Sequence, residues 1–238
     1  MLQLFCRQKR KANRDKLRKH LESSTADVDT APLDKLCSKL KWSDVLARIE
    51  GLPDTEETAK TSAYRLLHVL CRYHPPVEVI EAALDKFPWA VALRDEDAHY
   101  PLHIAVSSGA DPAVIELLLI KFPKAVRTLD KNGRSVLFLL CKYYRKNYRQ
   151  TLFMPEMHLE PALRQTTKMI VKRFPSAVNI DDKHGESPIE VAIDSGFSME
   201  TIKFIQYASY KSWIAVKRNK QSEQETNTEV THRSSSFP

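Results

Sequence analysis

The 238-residue chain holds only five glycines and four cysteines. The cysteines, at 6, 37, 71 and 141, form no Cys-x-x-Cys pair and suggest no disulfide framework, which fits a reducing compartment. No apolar run approaches the ~18 residues needed to span a membrane; the longest stretches are of the size of Leu117 to Ile120 and Val136 to Cys141. The start, MLQLFCRQKRK, puts its few apolar residues before its charges, the reverse of a secretory leader. An intracellular protein, cytoplasmic or nuclear, is expected; an organelle-targeting peptide is the weaker option, because Asp15 and Glu22 intrude. Gly-rich phosphate loops, His-Glu-x-x-His, Gly-x-Ser-x-Gly and metal-spaced Cys/His clusters are all missing. Nothing therefore points to an enzyme, a cofactor or a metal.

Charge is present but uneven. The net +7 is already reached within residues 1 to 20, which hold eight Lys/Arg and Asp15. The rest of the chain keeps 29 of the 37 basic and 29 of the 30 acidic side chains, so the body is neutral. Residues 1–30 read as a basic arm that would attract an anionic partner or serve in nuclear import. Residues 215–238 are rich in Gln, Glu, Ser, Thr and Asn and read as a disordered polar tail.

Between them the chain repeats itself. Phe-Pro recurs at Phe87-Pro88, Phe122-Pro123 and Phe174-Pro175, with Leu52-Pro53 as a weaker copy, at steps of 35, 35 and 52. At those steps Leu67, Leu102, Leu137 and Ile189 coincide, as do Cys71, Val106, Cys141 and Ile193. Gly109 coincides with Gly196, Gly133 with Gly185, and Pro101 with Pro188. A period in this range is the signature of stacked supersecondary units. Each unit reads as a short helix, a longer helix and a turn. In the best copy, Pro101 opens the first helix and Gly109 closes it, while Asp111 caps a second helix that Pro123 ends.

This order, with Tyr-Pro-Leu-His-Ile-Ala-Val at 100–106, resembles the ankyrin repeat family. The departures are a 35-residue period and Phe-Pro-x-Ala-Val in place of the usual Gly after the second helix. The resemblance implies an all-α helix-turn-helix solenoid over residues 31–214, about four units including degenerate caps. It also implies a non-catalytic scaffold or adaptor that binds a protein through hairpin tips and the concave face of the first helices. Candidate partner residues by that resemblance are Glu96, Asp97, His99, Tyr100, Lys131, Asn132, Arg134, Lys183, His184 and Glu186. His68 and His103 share a repeat position and are expected to bond the neighbouring turn; Cys71 and Cys141 are expected to be buried. Asp95, Asp130 and Asp182 recur in the turns and are expected to make hairpin hydrogen bonds, whereas His99, His158 and His184 are expected to be solvated.

The 52-residue step places a surface insertion near 147–160, which is expected to be removable without loss of the fold. Just before it, KYYRKNYR (142–149) interleaves basic and aromatic side chains. With the arm, this patch would serve a nucleic-acid-associated regulator, Tyr143 and Tyr144 being its exposed aromatics. The alternative is an extended first helix whose tyrosines pack the insertion down. Phe122 is expected to lie in the core between units, as are Phe87 and Phe174. The ending RSSSFP resembles the phosphoserine motif of 14-3-3 ligands, with Ser236 as the phosphosite.

Overall fold

The computed structural model describes residues 33–52, 66–148 and 156–234. The basic arm, most of the insertion, and Ser236 lie outside them. The described residues are mostly helical and include no strand. Helices come in pairs: α1 (Leu33–Ser38) with α2 (Trp42–Gly51), α3 (Leu66–Arg72) with α4 (Val77–Lys86), and α5 (Pro101–Ser108) with α6 (Pro112–Lys121). The fourth pair opens with α7 (Val136–Leu139), a π segment (Leu140–Tyr144) and α8 (Arg145–Tyr148), and continues with α9 (Glu156–Arg173). The last is α10 (Pro188–Asp194) with α11 (Met199–Ser234). First helices touch in succession, α1 to α3 to α5 to α7, with α10 on α7 and on the π segment. Second helices do the same, α2 to α4 to α6 to α9 to α11. Two helices of this length cannot bury their own apolar faces, so the neighbouring pair completes the core.

Backbone conformation repeats as the sequence does. Among the described residues seven have positive φ, and all fall in two places. Leu40, His74, Gly109 and Gly196 follow the first helices; Ala98, Gly133 and Gly185 sit in the turns. A left-handed residue there reverses the chain while satisfying the last carbonyls of the helix. Gly109 N–H, for example, donates to Ala105 and Val106. The helix of the fourth pair escapes this stop. Where the 35-residue step would place a left-handed residue stands Tyr144, and the helix widens through its π segment and runs on to Tyr148.

Phe-Pro follows the last residue of three second helices, Lys86, Lys121 and Arg173, as expected of a helix stop, but the burial of the three Phe is uneven. Each Pro opens a 3-10 turn, at Pro88–Ala92, Pro123–Arg127 and Pro175–Asn179. The Ala-Val that follows is buried in all three copies, whereas of the three phenylalanines only Phe87 is. Phe122 and Phe174 are half-buried at the edge of the core. Phe122 lies 5.1 Å from the Tyr100 ring, and the Arg127 guanidinium covers Phe174. A half-exposed ring loses less on truncation. Phe122→Ala is therefore expected to cost about 1–2 kcal/mol in urea unfolding, against ~3–5 for a fully buried Phe.

Two further expectations change. The insertion reaches less far than 160: α9 begins at Glu156, Leu159 is in the core, and Glu160 accepts from Arg145 at 2.9 Å. Removing 147–160 would therefore also remove Tyr148 and Leu159 from the interior. At the other end, α11 continues as helix through residues read as polar tail, as far as Ser234. No Gly or Pro interrupts 199–234, so nothing local stops a helix that its N-terminal turns have nucleated.

Candidate functional site

Three turns carry most of the nominated residues, and each is built on one aspartate. Asp95 Oδ1 accepts from Asp97 and His99 N–H at 2.9 and 2.8 Å. Asp130 Oδ1 accepts from Asn132 and Arg134 at 2.8 and 2.9 Å, and Asp182 Oδ1 from His184 and Glu186 at 2.8 and 3.1 Å. A short carboxylate suits this role because it holds its own backbone two and four residues on. The turns are hydrogen-bonded loops rather than β-hairpins; the one bridge among the described residues is Leu129 with Ser135. They also lock to one another. Lys131 N–H donates to the Asp97 carbonyl at 3.1 Å and Lys183 N–H to Asn132 at 3.0 Å. The tips thus form one continuous ridge.

Buried groups stiffen it from beneath. The Asp130 side chain is 1% exposed and receives Arg134 Nε at 2.7 Å and His99 Nε2 at 3.3 Å. His99 Nδ1 lies 3.3 Å from Asp95 Oδ2, so this imidazole spans two successive turns. It is not the solvated loop residue expected. Burial raises both carboxyls, but the N–H donors and, for Asp130, the Arg134 guanidinium outweigh it and hold them below the ordinary carboxylate range. Arg134 Nη1 also donates to Tyr143 Oη.

His68 and His103 are structural, as expected, but reach different carbonyls. His68 Nε2 meets His99 O at 3.0 Å, and His103 Nε2 meets Thr128 O at 3.3 Å. His103 Nδ1 accepts from Tyr100 N–H at 3.2 Å, capping its own helix. Glu190 does this for Ser187 in the last pair, whereas Phe138 has no such group. With one nitrogen accepting and the other donating, the bonded ring is neutral. Burial pushes His103 down to about 4, with nearby His99 and Arg94 adding to it against Thr128 and Asp130. Its folded pKa lies below its unfolded value, so its contribution is complete above about pH 6.5 and lost as pH falls towards 4. That loss amounts to about 3 kcal/mol. Urea unfolding at pH 7, 5.5 and 4.5 is expected to show it, with a flatter pH slope in His103→Gln. Burial likewise pushes the Cys71 and Cys141 thiols up, which leaves them inert core groups.

The nominated partner residues separate into two sets. Glu96, Asp97, Lys131, Asn132, Lys183 and His184 are exposed along the ridge. His99, Tyr100, Arg134 and Tyr143 are half-buried in the bonds just described, and exposed Glu186 pairs with Lys142 at 2.6 Å. Tyr144 is corrected outright. It is fully buried and donates to Ala110 O at 3.0 Å, stacked beside Tyr148. The basic–aromatic patch is dispersed with it: two tyrosines point inward, and Lys142 and Arg145 pair with Glu186 and Glu160. An extended helix with packed tyrosines is what this run forms. Neither the models of known families nor the curated proteins compared with this chain match it.

Proposed function

We propose that the chain is an ankyrin-type solenoid acting as a non-catalytic scaffold or adaptor, and that the turn ridge is its docking edge. The observation that carries this reading is the backbone-to-backbone locking of successive turns beneath side chains that vary between copies, as at Asp97, Asn132 and His184. A rigid edge loses little entropy on binding, which is what a recognition surface needs. The ridge also has polarity. Glu96 and Asp97 make its first tip acidic, while Lys131 and Lys183 put an exposed cation on each of the next two. An extended partner segment with acidic groups towards Lys131 and Lys183 fits it.

The test is affinity capture with mass spectrometry, comparing the full chain with Lys131→Glu/Lys183→Glu. Both lysines are exposed, so the variant keeps its fold. A protein enriched by the natural chain and depleted at least tenfold by the variant is the expected result. Equal capture by both removes the ridge as the interface, and no enrichment at all removes the scaffold reading.

A further inference from the structure

The last second helix departs from the others at the point where they stop. One 35-residue step beyond Phe174-Pro175 stands Ser209-Tyr210, so α11 meets no Pro there and continues as helix. It carries large apolar side chains outward: Met199, Tyr207, Tyr210 and Trp213 are 57% to 65% exposed. Side chains of that size grouped on one helix mark a contact surface. Charge on the same helix is of one sign. Residues 201–218 hold Lys203, Lys211, Lys217 and Arg218 and no acid, and Glu200 just before them is paired with Arg164 at 2.7 Å.

Cations and rings share one side. At about 3.6 residues per turn these apolar and basic side chains all fall within one half of the helix, opposite buried Ile205 and Ser212. Lys211 Nζ lies 4.8 Å from the centre of the Tyr207 ring, and Lys217 Nζ 5.2 Å from that of Trp213. The neighbouring α9 extends the patch. Its exposed Lys168 and Lys172 stand one 35-residue step before Lys203 and Tyr207. In earlier pairs the position of Lys168 and Lys203 is taken by Glu81 and Glu116, so the sign reverses along the stack.

We propose that this side of α11, with Lys168 and Lys172 of α9, docks on a lipid surface that carries anionic headgroups. No helix among the described residues is long and apolar enough to cross a membrane, and this contact needs none. Tyr and Trp rings join an apolar body to a polar edge, which suits the headgroup level of a bilayer. Lysine stems lie along apolar surface while their ammonium groups reach the phosphates. From Met199 to Arg218 the patch runs about 28 Å along the outer side of one helix, which fits a plane better than a pocket. Nucleic acid would use the cations and the rings, but Met199 offers a base nothing to stack on. Cations without a nearby free acid make the contact depend on lipid charge and on salt.

Flotation of the full chain with vesicles is the test. At about 0.1 M salt it is expected to bind vesicles with ~30% phosphatidylserine at least tenfold more tightly than pure phosphatidylcholine, and to lose most of that difference at about 0.5 M. Lys203→Glu/Lys217→Glu is expected to weaken binding to the anionic vesicles about tenfold and Tyr210→Ser/Trp213→Ser about fivefold, with helical circular dichroism unchanged. Residues 1–20 keep their eight Lys/Arg in every variant, so attraction through them alone would leave the variants equal to the natural chain. Acyl chains brominated near the headgroup are expected to quench part of the tryptophan fluorescence. Trp213→Phe is expected to abolish that quenching, because Trp42 and Trp89 lie on other elements. Should a substituted chain unfold, this quenching decides alone. Either paired variant binding like the natural chain overturns the proposal. So does equal binding to both lipids, or quenching that survives Trp213→Phe. A uridine oligonucleotide bound more tightly than the anionic vesicles, and released by the same substitutions, gives the face to nucleic acid and overturns it as well.

Discussion

Gly109→Ala is expected to destabilise the fold by about 3–5 kcal/mol in urea unfolding, while Gly196→Ala at the same repeat position costs only ~1–2. Both glycines close a first helix in the left-handed region, at φ +77° and +70°. A side chain there loses about 1–2 kcal/mol to the close approach of Cβ and carbonyl. Surroundings make the difference. A Cβ on Gly109 would lie 2.7 Å from Tyr148 N and 3.1 Å from Tyr144 O, whereas one on Gly196 meets nothing within 4 Å. The atoms against Gly109 are backbone and cannot rotate away. They are there because the helix of the next pair runs past its normal stop and lies across this cap. Equal losses for the two variants would show that the close contact carries no energy.

Asp130→Ala is expected to cost a similar ~3–5 kcal/mol, the range for removing one partner from a buried charged network. The substitution takes the acceptor from Asn132 N–H, Arg134 N–H, Arg134 Nε and His99 Nε2 together. It leaves the Arg134 guanidinium, a half-buried side chain, with Tyr143 alone. Asp130→Asn keeps an oxygen for the two backbone donors and gives up the charge, so about half the loss is expected. The corresponding Asp182 sits in a more exposed turn whose outer neighbour is missing. Asp182→Ala is expected to cost less than half as much, and parity between the two would mean that the turn alone, not the His99–Asp130–Arg134 network, supplies the energy.

Much of the helix pairing was legible because it rests on local chemistry repeated at a fixed step. Proline at a first turn, glycine after a first helix and aspartate in a turn each act within a few residues of themselves. The same holds for Ser187 with Glu190, which cap a helix without help from any other unit. Left-handed Ala98 was not legible, since alanine does not favour that conformation and only alignment with Gly133 marks it.

The candidate ridge divides along the same line. Recurrence alone placed Glu96, Lys131 and Lys183 on tips and gave the turn aspartates their role. It could not show that His99 faces Asp130 rather than solvent, because that contact joins groups on successive turns. Tyr144 failed for a related reason: a π segment shifts the register by one residue and turns the ring inward, and no local spacing signals it.

The sequence by itself determined the helix pairs, the stops between them and the aspartate turns, because each depends on side chains bonding to nearby backbone. Tertiary structure alone decided which phenylalanine is buried, that the first helix of the fourth pair runs past Tyr144, and which charged groups of the turns bond to a neighbouring turn. Those depend on what the adjacent unit brings within reach, and distance in space across a stack is not written in spacing along a chain.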